Sequence, residues 1–341
     1  MTIILLTIFL LFCARFHKKD KPFDYMTYSI IFVVLVLTKT FIDIKSLPDL
    51  ENYFWGYKEL SNVEWSDIAY HKLRILKCPE IGFRYILKIG SFLGDFKCSL
   101  FIIAVIHSFA FIYISKKYSP YIIVSLIIFL LGSIQSFFVL RQWLAIAITV
   151  LSYPYIINRN WKMYILLMLI AFSFHQTALV FIPIYFIYSI NNTKVLNISI
   201  CLTTIILYQL FSSIFNYFGE TLVGYQSYID SNEANITTLL ISVCYLFTFI
   251  FFLKKDIYKD GINKLLFIIQ AMNIIILISG YSSTGINRLV MYFSVVIFLS
   301  VPITMKYIHY PLIRFLYITT ILLLLVYMGF YGSNSIYINS I

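Results

Sequence analysis

"IAFSFHQTALVFIP", residues 170–183, sets a histidine inside a segment that carries no formal charge from Met163 to Thr193. What an imidazole can do there depends on its surroundings, and these are apolar along most of the chain. Of 341 residues, 61% are hydrophobic and 12% charged, with a mean hydropathy of +0.88. A soluble domain has about a quarter of its residues charged. The long apolar runs lack the alternation of barrel strands, so they predict membrane helices. The expected fold class is all-α, a polytopic integral membrane helical bundle that forms one domain over 1–341.

Spans are expected at 1–16, 24–42, 98–115, 119–134, 136–156, 161–174, 176–190, 195–213, 236–253, 263–280, 288–305 and 312–330, about twelve helices, several of them short. The first apolar run precedes its basic cluster instead of following one, so it reads as a span that starts outside and not as a signal sequence. Residues 43–97 form an outer loop. Asp43 to Pro79, with Tyr53, Phe54, Trp55, Tyr57, Trp65 and Tyr70, reads as a loop on the membrane surface. Residues 80–95 read as an amphipathic helix in the outer interface, with Glu80, Arg84, Lys88, Ser91 and Asp95 along one side and Ile81, Tyr85, Ile89 and Phe92 along another. The five cysteines show no metal-ligand spacing. Cys78 and Cys98 share the outer side, and nothing in their spacing decides whether they pair.

Short loops rich in Lys and Arg stay in the cytoplasm. Placing them there puts the whole formal charge of +11 inside and leaves the outer side neutral, with both termini outside. The pI of about 9.2 is therefore a property of topology, and no nucleic-acid partner is implied.

Lys162 and Lys194 both fall inside, so the chain between them crosses an even number of times. Its length as helix is about 46 Å, whereas two crossings of the hydrocarbon core need about 60 Å. Two half-length helices meeting near His175 fit, with the histidine about 10 Å below the outer surface. Irregular backbone at that depth requires protein or water around it. His175 would then sit at the floor of an outward hollow with Ser173, Gln176 and Thr177 beside it. The plainer reading is a hairpin apex whose imidazole bonds a neighbouring carbonyl.

Arg141 and Arg288 each lie eighteen residues from an inner cation, Arg159 and Lys306, which places them about 27 Å from the inner surface, near the outer lip. Such arginines usually face a bundle interior, the alternative being snorkelling to headgroups. Gln142 and Tyr292 supply further donors on plausible inward faces. The outer loop adds Asp49, Glu51 and Glu80. Glu80 also suits first-turn charge compensation with an i,i+4 pair to Arg84, and Asp49 suits a solvated loop acid. Two carboxylates in D-x-E are a thin ligand set for a divalent ion, so neither a metal nor a cofactor is expected. Lys39 lies near the outer end of the second span.

Guanidinium forks suit a phosphate or diphosphate, and a histidine or carboxylate nearby can take a proton from a hydroxyl. Together they match glycosyl transfer from a polyprenyl diphosphate sugar, in which cations stabilise the charge growing on the leaving oxygen.

Five stretches carry a family resemblance: "PDLENYFWGY" from 48, "EIGFRYILKIGSFLG" from 80, "LRQWLAIAI" from 140, "FSFHQTALV" from 172 and "NRLVMYF" from 287. In this order they resemble the EpsG-like branch of bacterial surface-polysaccharide polymerases, the group that includes O-antigen polymerases of the Wzy type. The first stretch has Leu47-Pro48 where the family's pattern often has Arg-Pro, which puts the role of Asp49 in doubt. The resemblance implies a polymerase in the bacterial plasma (inner) membrane that joins undecaprenyl-diphosphate-linked repeat units of O-antigen, capsule or exopolysaccharide at the outer face. It implies diphosphate binding by Arg141 and Arg288, a catalytic or orienting role for His175, and Glu80 and Asp49 as acids near the acceptor. The base remains open between His175 and Glu80. The protein partners implied are a chain-length regulator and a flippase. Two other readings compete: an O-antigen ligase or acyltransferase, which would have a larger outer domain, and a transporter or flippase, which would show internal repeats and polar residues through both leaflets.

Overall fold

The structure, a computed structural model, describes residues 9–10, 22–44, 48–71, 73, 80–221, 236–279 and 284–331. Except for residues 9–10, the expected first span at 1–16 lies outside them, as do Cys13 and Cys78; Cys98 is a free thiol. All regular structure among the described residues is helical. In chain order the helices are α1 (Pro22–Thr40), α2 (Pro48–Ser61), α3 (Ile81–Leu93), α4 (Phe96–Tyr118), α5 (Ile122–Gly132), α6 (Leu140–Leu151), α7 (Tyr153–Ile157) and α8 (Trp161–Phe174). They continue as α9 (Pro183–Tyr188), α10 (Thr193–Thr221), α11 (Ile236–Leu253), α12 (Asp256–Lys259), α13 (Gly261–Ser279), α14 (Thr284–Ser294), α15 (Ile297–Tyr307) and α16 (Pro311–Tyr331).

Five stretches are long and apolar enough to cross a membrane: Phe96–Tyr118, Leu140–Ile157, Thr193–Leu210, Gly261–Ser279 and Arg288–Tyr307. Six shorter apolar helices accompany them, among them Trp161–Phe174 and Gln176–Tyr188. Beyond 1–16, each expected span corresponds to one of these, which makes the protein a polytopic membrane bundle.

The segment between Lys162 and Lys194 is a broken hairpin. Helix α8 stops at His175, whose backbone is extended (φ −159°, ψ 123°). A 3-10 turn at Gln176–Phe181 follows, and Pro183, which has no N–H to satisfy, opens α9. The Tyr164 hydroxyl donates to the Phe181 carbonyl at 2.6 Å, and the Tyr185 hydroxyl to the Arg159 carbonyl at 2.9 Å. The returning limb therefore lies along α8 and comes back to the level where α8 began.

Side-chain contacts define two ends of the bundle. At one end the Lys116 ammonium lies over the Tyr25 ring, Arg159 over Tyr185, and Lys264 donates to the Ile190 carbonyl. These cations all belong to the side assigned to the cytoplasm by charge. At the opposite end Lys39 meets Ser136 and Lys97 lies over Phe41.

The outer loop is more ordered than a surface loop. Pro48–Ser61 is a helix with Asp49 and Glu51 in its first turn and Lys58 in its last, an arrangement that complements the helix dipole. The interfacial helix forms as expected at Ile81–Leu93, but Asp95 belongs to the next element as the N-cap of α4. Its polar side turns inward. Arg84 donates to the carbonyls of Ile68, Ala69 and His71, and Lys88 to those of Leu60, Ser61 and Val63. These two cations thus satisfy backbone acceptors of the loop, while Ile81, Ile89 and Phe92 remain exposed, as an interfacial helix requires.

Candidate active site

Glu80 occupies the N-cap of α3 yet makes no side-chain cap hydrogen bond. Its carboxylate reaches across the bundle instead. Oε2 accepts from Arg141 Nη1 at 2.7 Å and Oε1 lies 2.9 Å from His175 Nδ1. Three segments far apart in sequence therefore meet at one carboxylate. The side chains of Glu80 and His175 are only 4% and 9% exposed and that of Arg141 19%, so the guanidinium forms the outermost part of the group.

Burial opposes the charge on Glu80, but the hydrogen bond from His175 and the Arg141 guanidinium outweigh it and lower the carboxyl from 4.5 to about 2. An ionised carboxylate only accepts, so the imidazole proton belongs on Nδ1. The other ring nitrogen, Nε2, is buried and has no hydrogen-bond partner among the described residues. It is the atom of the relay left to exchange a proton.

The other expected residues gather around this relay. Gln142 Nε2 donates to the Arg288 carbonyl, which ties α6 to α14. Thr177 Oγ1 donates to the Tyr292 hydroxyl at 3.3 Å, which ties the 3-10 turn to the same helix. Asp49 is half-buried in the first turn of α2. Burial raises its carboxyl above the usual range, against the fields of Arg288 and Arg141, which pull it down. Glu51, by contrast, is exposed, and the D-x-E pair is split between the site and solvent. Among the described residues no three His, Cys, Asp or Glu side chains cluster.

Two neighbours of His175 do not join the site. Gln176 is exposed, and Ser173 Oγ bonds its own helix at the Ile170 carbonyl. One residue that sequence reasoning missed does join: the Tyr53 ring stands 5.8 Å from the Arg141 guanidinium and packs on Phe83 at 5.2 Å. It lies one turn beyond Asp49 on α2 and would have stood out had 48–61 been read as a helix.

Gly82 explains how Glu80 comes so close. A Cβ built there would strike Ser173 Oγ and lie 2.9 Å from the Ser173 carbonyl oxygen, so α3 approaches the end of α8 backbone to backbone. Gly82→Ala should push α3 away from His175, at a cost of about 1–3 kcal/mol for overpacking. The expected result is a lowered thermal midpoint together with turnover reduced by more than about tenfold, measured on purified protein.

The EpsG family profile matches residues 25–340, nearly the whole chain. No curated protein and no solved structure matches it.

Proposed function

The chain belongs to the EpsG family, and on that premise we propose that it is a polymerase joining undecaprenyl-diphosphate-linked oligosaccharide repeat units at the outer face of the plasma membrane. Family membership supports the coarser statement of a membrane glycosyltransferase of polysaccharide biosynthesis. The finer reading is carried by one observation, the Arg141–Glu80–His175 relay with its open Nε2.

In the proposed step an acceptor sugar hydroxyl attacks the anomeric carbon of the donor. A new C–O bond forms, the bond from that carbon to the diphosphate oxygen breaks, and the hydroxyl proton passes to His175 Nε2. Glu80 holds Nδ1–H and stabilises the imidazolium that results. Both its oxygens are engaged and its carboxyl is held near 2, which makes it a weak base; this favours His175 over Glu80 as the proton acceptor. Arg141 and Arg288 take the charge that develops on the departing diphosphate. Asp49, which feels the fields of both arginines, limits the excess of positive charge. Gln142, and Thr177 through Tyr292, hold the helix that carries Arg288.

The test is reconstitution. Purified protein in nanodiscs, supplied with lipid-linked repeat units, should produce a ladder of glycans and release undecaprenyl diphosphate. His175→Ala should leave single units on their carrier while the protein stays folded. A full ladder from that variant would remove the histidine from the mechanism, and a parent protein that moves intact units across the bilayer without joining them would favour a flippase.

A further inference from the structure

Lys39 stands in the last turn of α1, 8% exposed, inside a helix that reads as membrane-spanning. An ammonium buried in this way, even near the end of a span, is costly to desolvate and tends to be kept only where it has a use. Its hydrogen bonds go to a single residue, Ser136: Nζ donates to Oγ at 2.6 Å and to the carbonyl at 3.3 Å, and it stands 4.4 Å from the centre of the Phe137 ring. Among the described residues it forms no ion pair. No carboxylate among the described residues pairs with it, so its role is sought in what Ser136 does.

Ser136 belongs to the 3-10 turn Ile134–Phe137, which leads directly into α6. The connection is stiff. Phe138 N and Val139 N both donate to the Gln135 carbonyl, at 3.1 and 2.8 Å, and Leu140 N donates to the Phe138 carbonyl at 2.9 Å. Arg141 is the second residue of α6. A displacement of Ser136 therefore passes through a hydrogen-bonded turn to the backbone of Arg141. On an adjacent side of α6, Leu140 and Leu144 line a cavity of about 10 Å³ together with Lys39 and His107, room for about one water-sized species. His107 is 1% exposed and neither ring nitrogen has a partner among the described residues. Lys39 thus braces the start of α6 on a side about a quarter turn from the one that carries Arg141 to Glu80.

We propose that Lys39 is a positioning residue for Arg141: its ammonium holds the Ile134–Phe137 turn so that the guanidinium meets both Glu80 and the substrate diphosphate. This rests on the reading of Arg141 given above. A brace of this kind acts on binding geometry, and because a buried ammonium is itself costly to desolvate, its removal should spare stability.

The experiment uses purified, reconstituted enzyme and lipid-linked repeat units. Lys39→Met, which keeps the stem and loses the charge, should raise KM about tenfold while changing kcat less than about threefold. Its thermal midpoint should equal or exceed the parent's. Lys39→Arg, which retains a donor that can reach Ser136, should keep the parental KM, and Ser136→Ala should raise KM in the same direction as Lys39→Met. Parental KM in both Lys39→Met and Ser136→Ala overturns the proposal. So does a parallel fall of kcat and thermal midpoint in Lys39→Met that Lys39→Arg does not rescue. Arg141→Lys, which keeps the charge beside Glu80 and loses the planar fork, separates the two levels when measured alongside. Full activity there removes the diphosphate-binding reading and this proposal with it, whereas lost activity there with parental kinetics in the Lys39 and Ser136 variants removes only the role of Lys39.

Discussion

Glu80→Gln should turn over about a thousandfold more slowly than the parent enzyme, with the protein present in the membrane at normal abundance. The side chain keeps its shape, so the loss is chemical. A carboxamide has one acceptor atom where the carboxylate offers two, and Glu80 serves Arg141 Nη1 and His175 Nδ1 at once. If the amide oxygen stays with the guanidinium, its NH2 faces Nδ1 and forces the imidazole proton onto Nε2. The nitrogen that should accept a proton is then already protonated. The measurement is single-turnover extension of a lipid-linked acceptor by one unit, read on a gel. Undiminished extension would mean that the carboxylate does not orient the histidine.

Arg288→Ala should lower kcat/KM by about a hundredfold to a thousandfold, the scale for loss of one charged donor to a developing anion. Long glycan chains should disappear from the surface of cells that carry this variant. Arg141 makes a less clean experiment. Truncating it leaves the 4% exposed Glu80 carboxylate without its guanidinium, and breaking a buried pair of this kind destabilises by about 3–5 kcal/mol. Arg141→Lys keeps the charge and loses the planar fork, so it isolates the binding role; its activity should fall while its thermal midpoint stays near the parent's. Combined with Glu80→Gln, loss of the Arg141 guanidinium should cost less than the sum of the two changes, because both act on one network. Strict additivity would show that arginine and glutamate work apart.

The features legible in the sequence were those set by global constraints. The broken helix at His175 follows from charge parity and length, since an uncharged run between two inner cations was too short to cross twice, and α8 does end at Phe174. The common level of His175, Arg141 and Arg288 follows from their distances to inner cations, whereas Asp49 and Glu80 enter as acids of the outer loop. Local readings are least decisive where a cheaper local explanation exists. Glu80 has Arg84 one turn away, so a surface pair competes with its reading as an acid near the acceptor; in the fold Arg84 donates to loop carbonyls and Glu80 reaches Arg141 and His175. Pro48–Ser61 was read as loop because its aromatics masked a proline, two first-turn acids and a last-turn lysine. His107 left no signal at all; a single imidazole inside an apolar run such as Phe96–Tyr118 becomes informative only when Lys39 is seen beside it.

The hairpin that carries His175 also constrains biogenesis. A full-length apolar helix can leave the translocon alone, but the Gln176–Phe181 turn carries the buried hydroxyl of Thr177, a polar group that lipid cannot satisfy. Its partner comes from another element: Thr177 donates to Tyr292, more than a hundred residues later in synthesis. The two limbs can therefore settle at depth only once α14 has been made. Insertion of the histidine would be a late event, and the enzyme would stay inactive until nearly the whole chain is in the bilayer.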